Sequence, residues 1–244
     1  MIEICCGSYE DAMNAYNGGA TRIELNSALH LGGLTPSVAS LKMVKANTKL
    51  TVICMVRPRA AGFCYDKYEY RQMLLEAKDL LEAGCDGLAF GFLHENHQID
   101  LERTKEFVAL CKKYRKTAVF HRAFDCVNDP YQSIESLIEL GVDRILTSGL
   151  KAKALDGIEL IKELQAQYGD KIEILAGSGV NATNAKEIME TAKIKQIHSS
   201  CKTWRTDLTT SGKDVNYCYG PEGHRDDYDV VSLDLVKQLV KLGL

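Results

Sequence analysis

No window of this chain approaches the roughly 18 consecutive apolar residues of a membrane-spanning helix. No basic stretch precedes an apolar one at the start, which reads Met1-Ile2-Glu3-Ile4-Cys5. Together these absences argue against a membrane or secreted protein and lead to an expected cytoplasmic location. Surplus positive charge is missing too: 30 Lys and Arg stand against 33 Asp and Glu, a formal charge of -3. Such a balance holds neither nucleic acid nor an anionic membrane, and favours a small-molecule or protein partner. No Cys-x-x-Cys pair occurs, which removes the usual signature of zinc ribbons and thioredoxin-like sites. The nine cysteines are an odd number and cannot all pair, so reduced thiols in a reducing compartment are expected.

What is present is alternation. Short β-branched runs at 2–6, 21–25, 50–55, 86–90, 117–121, 143–147, 172–176 and 195–199 are separated by segments of helical period, the pattern of βα units on a parallel sheet. Helix starts are marked by Ser8, Thr35-Pro36, Asp100, Asp129-Pro130 and Asn181, capping side chains followed by proline or by polar first turns. Gly19, Gly84 and Gly141 each end a helical segment a few residues before a new strand, the short bottom turn of a barrel used three times. An open doubly wound sheet would usually carry Gly-x-Gly-x-x-Gly after its first strand, where this chain has Cys6-Gly7-Ser8-Tyr9. The expected fold is therefore an α/β, single-domain (β/α)8 TIM barrel, its domain spanning the 244 residues, close to the ~250 typical of that fold. One irregular segment, 202–228, precedes a terminal helix expected over Val231–Leu242. It reads as a solvated loop, or as a lid or dimer contact on the catalytic face.

Strand parity sorts the candidate residues. Ile2, Ile4, Ile23 and Leu25 share the face expected to meet the helices, which leaves Glu3, Cys5, Arg22, Glu24 and Asn26 inside the barrel. Met55 with Arg57, Thr117 with His121, and Gln196 with His198 fall on the inner face by the same count. Charge inside a barrel must be paired, so Glu3 or Glu24 is expected to meet Arg22 or Arg57. Asn26, Arg57, His121 and His198 stand at strand ends, the catalytic mouth. There Glu24 and His121 are candidates for exchanging protons with a substrate, and Asp125 is a candidate for setting the His121 tautomer. Arg57 and Arg59, the 147–149 loop with Ser148 and Gly149, the 177–181 loop with Gly177 and Gly179, and His198 form a candidate ligand- and anion-binding set. On the inner face Cys5 and Met55 offer soft sulfur to Cu(I), with His121 beside them. Cys201, Cys218 and His224 could form a second cluster near the long loop. Lys112 to Lys116 reads as a helix end complementing the dipole.

Five ordered motifs then coincide: Gly18-Gly19-Ala20-Thr21-Arg22-Ile23-Glu24-Leu25, Gly32-Gly33-Leu34-Thr35-Pro36-Ser37, Met55-Val56-Arg57-Pro58-Arg59, Phe120-His121-Arg122-Ala123-Phe124-Asp125 and Leu146-Thr147-Ser148-Gly149. Together they resemble the CutC copper-homeostasis family over residues 1 to about 201. The resemblance implies a cytoplasmic (β/α)8 barrel, commonly a homo-oligomer, with copper as its ligand and no settled reaction. It also implies thiols at the ends of strands one and two as Cu(I) ligands; this chain keeps Cys5 but has Asn26 at the second place. The expected function is copper homeostasis through Cu(I) binding at Cys5, helped by a thioether or imidazole. The alternative drawn from the residues is a barrel enzyme or sensor for a small phosphorylated or carboxylated metabolite.

Overall fold

The computed structural model describes residues 1–243. The chain runs β1 (Ile2–Cys6), α1 (Tyr9–Asn17), β2 (Arg22–Leu25), α2 (Val38–Asn47), β3 (Thr51–Met55), α3 (Lys67–Glu82), β4 (Gly87–Phe90), α4 (Leu101–Lys113), β5 (Thr117–Phe120), α5 (Pro130–Leu140), β6 (Arg144–Thr147), α6 (Ile158–Tyr168), β7 (Glu173–Ala176), α7 (Ala185–Ala192), β8 (Gln196–Ser199), β9 (Lys202–Thr206), β10 (Asp227–Val231) and α8 (Leu233–Val240). Strands β1 to β8 pair in sequence order, all parallel, and β8 returns to β1 to close the barrel. No helix among the described residues is long and apolar enough to cross a membrane.

Local chemistry sets the joints. Ser8, Asp100 and Asp129 accept the orphan N–H groups of α1, α4 and α5. Gly141 takes φ +80° and returns its N–H to the end of α5, a conformation that only glycine adopts freely; Gly19 and Gly84 also take positive φ. Two starts differ from expectation. Ser37, not Thr35, caps α2, because the Thr35 hydroxyl donates to Glu76 and accepts the Arg57 N–H instead. Asn181 accepts from Thr183 in a turn that precedes α7.

The segment expected to be irregular is ordered at both ends. β9 and β10 form an antiparallel hairpin stem, favoured by the Thr and Trp residues of Lys202–Thr206, and only 207–226 lies between them. Trp204 stacks on His224 at 4.1 Å. Arg205 meets Glu10 at 2.7 Å, and the Val231 N–H donates to Asp11 at 2.7 Å, so the stem is fixed to α1. Val231 therefore belongs to a strand, and α8 starts after its cap, Ser232.

The two strand faces part as parity requires. Ile4, Ile23, Leu25, Val52, Leu88 and Phe120 join the layer under the helices, and Ile53, Met55, Ala89 and Val119 form a separate apolar cluster inside the barrel. The inner face contributed by β1, β2, β6 and β8 is charged. Parallel register sets Glu3 beside Arg22 on one side and His198 on the other. The Glu3 carboxylate meets Arg22 at 2.7 Å, His198 Nδ1 at 2.9 Å and Arg144 at 3.9 Å. Arg22 donates to Gln196 at 2.7 Å and Arg144 to Glu173 at 2.7 Å. Glu24 and Arg57, the other members considered for this layer, stand apart from it. Burial alone would raise the Glu3 carboxyl, yet the His198 hydrogen bond and the Arg22 and Arg144 charges outweigh it and hold it below the usual carboxylate range. Removing one member of a buried ion cluster strands the rest. Glu3→Ala is thus expected to lower stability by about 3–5 kcal/mol in urea unfolding, and a loss below about 1 kcal/mol, the scale of exposed pairs, would contradict this account.

Candidate functional site

The carboxyl ends of the strands surround a cavity of about 670 Å³. Cys5, Glu24, Asn26 and His198 line one side. Parallel pairing sets Cys5 opposite Glu24, and the thiol donates to the Glu24 carboxylate at 3.9 Å. Asn26 turns its amide inward, donating to Glu24 Oε2 at 3.0 Å and to Cys5 Sγ at 3.6 Å. Cys5, Glu24 and His198 each offer one ligand atom, and these atoms lie within 4.8 Å of one another. Glu3 engages His198 Nδ1, so the ring is oriented with Nε2 free for a ligand, the arrangement in which a carboxylate steadies a metal-binding histidine. Burial, and then the Glu24 charge, push the Cys5 thiol well above its ordinary range. Burial also raises Glu24. For His198 burial works downward, but the Glu3 hydrogen bond and the Glu24 and Glu3 charges outweigh it and raise the imidazole.

Met55, Arg57, Phe63 and His121 line another part of the wall. The Arg57 guanidinium donates to the carbonyls of Leu31, Gly33 and Ala61 at 2.6–3.1 Å and lies 5.3 Å from the Phe63 ring centre. His121 packs on the same ring at 5.0 Å. Its Nδ1 accepts the Ala123 N–H at 3.1 Å, which fixes the proton on Nε2. That nitrogen has no partner and the residue is 2 % exposed. Burial first, and the Arg57 charge second, push the His121 pKa down to about 3. The ring is therefore neutral near pH 7, suited to donate a hydrogen bond from Nε2 rather than to exchange protons. Asp125, expected to set the His121 tautomer, lies elsewhere; the backbone of the Arg122–Cys126 turn does that work.

The other candidates disperse for identifiable reasons. Asp125 accepts from Arg122 Nε at 2.7 Å, Thr147 Oγ1 at 2.6 Å and the Ser148 N–H at 2.9 Å. The anion expected at the 147–149 loop is thus a carboxylate of the chain itself, and neither Ser148 nor Gly149 lines the cavity. Gly149 packs on Gly157, whose carbonyl oxygen would lie 2.2 Å from any Cβ. Gly177 makes room for Leu146 and His198, whereas Gly179 reaches the cavity with Ser178 and Asn181. Arg59 points away from the cavity, paired with Glu69 and with the carbonyls of Ala60, Gly62 and Cys64. Cys201, Cys218 and His224 do not assemble into a metal cluster: Cys201 Sγ turns to Ser199, and His224 pairs with Asp227. Phe63, Arg122 and Lys202 were not anticipated at the cavity. Phe63, the one aromatic in Ala60-Ala61-Gly62-Phe63, was the readable signal for the first.

The sequence profile of the CutC family matches residues 1–203. A family protein CutC from Treponema denticola is 44% identical over 98% of this chain and 97% of its own length. From Mus musculus, a copper homeostasis protein cutC homolog is 38% identical over 97% of this chain and 86% of its own. Among solved structures, a CutC protein from Streptococcus agalactiae superposes with a TM-score of 0.77 at 31% identity, covering 82% of this chain and 98% of that one.

The environment of His121 has a pH consequence. Its folded pKa of about 3 lies below the ~6.5 of an unfolded imidazole, so between these values the unfolded chain binds more protons. Its contribution to stability is complete above about pH 6.5 and is lost as pH falls toward 3. In proton NMR the His121 ring signals are expected to stay flat from about pH 8 to about pH 5; a midpoint inside that range would contradict the burial argument.

Proposed function

Because the chain belongs to the CutC family, we propose that it serves copper homeostasis in the cytoplasm, as a homo-oligomer, by taking a copper ion as cargo at the barrel mouth. The observation that carries this reading is the convergence of Cys5, Glu24 and His198, with ligand atoms within 4.8 Å of one another. Thiolate and imidazole suit cuprous ion, and the Met55 thioether lines another part of the same cavity. Asn26, which stands where the resemblance implied a second thiol, supports the site from behind: its amide donates to Cys5 and Glu24 rather than offering an electron pair. The donor set is one thiol and one imidazole, with a carboxylate at hand. It fits copper without the two-thiolate geometry.

The residues also provide a route for the proton that must leave. Cys5 is protonated because burial and Glu24 disfavour its thiolate, and its S–H already points to the Glu24 carboxylate. On metal binding the thiol proton would leave to solvent past the Glu24 carboxylate, and any proton on His198 Nε2 would leave as well, while His198 keeps its Nδ1–H on Glu3.

An anaerobic titration against a cuprous chelator tests this. Cys5→Ala and His198→Ala are each expected to weaken binding by about tenfold or more. Wild-type affinity should rise with pH by about tenfold per unit or more, because the Cys5 proton, and that of His198 Nε2 where it is held, are released to solvent. Unchanged stoichiometry and affinity in Cys5→Ala would reject the site.

A further inference from the structure

The copper reading leaves a second group of cavity residues unused. Arg22, Arg59, Arg122 and Arg144 each meet a carboxylate. Arg57, 6 % exposed, has the carbonyls of Leu31, Gly33 and Ala61 and the neutral Tyr65 hydroxyl as polar neighbours of its guanidinium, and no carboxylate within ion-pairing distance among the described residues. A buried cation that meets only neutral dipoles lacks a counter-charge. Close by, on the same Phe63 ring, stands a second unmet group, the His121 Nε2–H. His121 lines the cavity with its Nδ1 taken by the Ala123 N–H, which leaves Nε2–H as the ring's unmet donor.

Shape and charge narrow the ligand. The cavity of about 670 Å³ is far larger than an ion requires and lies within the range of small-molecule sites. Leu29, Phe63, Leu146 and Val180 give it apolar walls for a carbon body. The one unmatched buried cation of the cavity, Arg57, balances one negative charge, whereas a phosphate monoester carries about two near pH 7; Lys202, also at the cavity, is exposed and lies over Trp204. The 147–149 loop, which could have held a phosphate, is already filled by Asp125.

We infer that the barrel mouth binds a small organic carboxylate, with its anionic group against Arg57, an oxygen accepting from His121 Nε2–H, and its carbon skeleton on Phe63 and Leu146. The site needs no metal at Cys5, so it stands or falls apart from the copper reading.

The test is a calorimetric titration of the full chain, freed of metal, with the monocarboxylates pyruvate, lactate and glycolate. Inorganic phosphate and glycerol 3-phosphate serve as the other source of oxyanion. The imidazole Nε2–H resonance of His121 is followed by NMR in the wild-type protein, a readout that survives any variant that folds poorly. At least one carboxylate is expected to bind and to shift that resonance. His121→Phe, checked for folding by its thermal midpoint, is expected to bind it about tenfold or more weakly, as befits the loss of a hydrogen bond to a charged group. The inference is overturned if only the phosphate compounds bind, if no carboxylate moves the His121 resonance, or if folded His121→Phe binds as tightly as the wild type.

Discussion

The Glu3 carboxylate is the contact on which the rest of the mouth depends. It is 2 % exposed, and water cannot stabilise its charge there, so the protein must. It does so with three neighbours from three strands: Arg22 on β2, Arg144 on β6 and His198 on β8. The strands could not slip by one residue without moving one of these partners to the helix-facing side. The ion cluster therefore fixes register at the β8–β1–β2 seam, and it orients His198, whose free nitrogen completes the Cys5–Glu24–His198 group. The electrostatic layer and the functional layer share a residue.

The same partition of the interior explains why two histidines of the mouth behave oppositely. His121 extends from β5, on the side of the barrel filled by Ile53, Met55, Ala89 and Val119, and its nearest charge is the cation Arg57. Burial and that charge act in one direction and hold it neutral. His198 is as enclosed, but two carboxylates, Glu3 and Glu24, face it and reverse the effect of burial. One mouth thus carries a neutral hydrogen-bond donor and an imidazole that favours its proton. The difference arises from which strands surround each ring, not from the residue type.

Much of this was legible in the chain. Short β-branched runs between helical segments located the eight barrel strands to within a residue or so at each end, and parity then sorted their faces, with Ile4 and Ile23 toward the helices. Gly19, Gly84 and Gly141 marked the bottom turns, since few other residues take those dihedrals. What could not be read was partner choice beyond the strands. Arg59 lies two residues from Arg57, yet the chain bends between them, so one faces the cavity and the other pairs with Glu69. Lys202 to Thr206 read as a polar loop because a two-stranded hairpin has no buried face of its own to impose alternation, and its order comes from Glu10, Asp11 and His224, remote in sequence.

The contrast between two loops at the mouth carries the functional argument furthest. Both the 147–149 turn and the 31–33 turn bring polar groups to strand ends. At the first, the donors are satisfied internally, because Asp125 places a carboxylate among Thr147, Ser148 and Arg122. At the second, the carbonyls of Leu31 and Gly33 grip the Arg57 guanidinium and hold it still without neutralising it. A chain that needed only a rigid mouth could have placed a carboxylate there as well, as it did for Arg22, Arg59, Arg122 and Arg144. Holding a buried cation in place while leaving its charge unmet makes it complementary to an anion that the described residues do not supply, and the neighbouring donor on His121 gives that complement a direction.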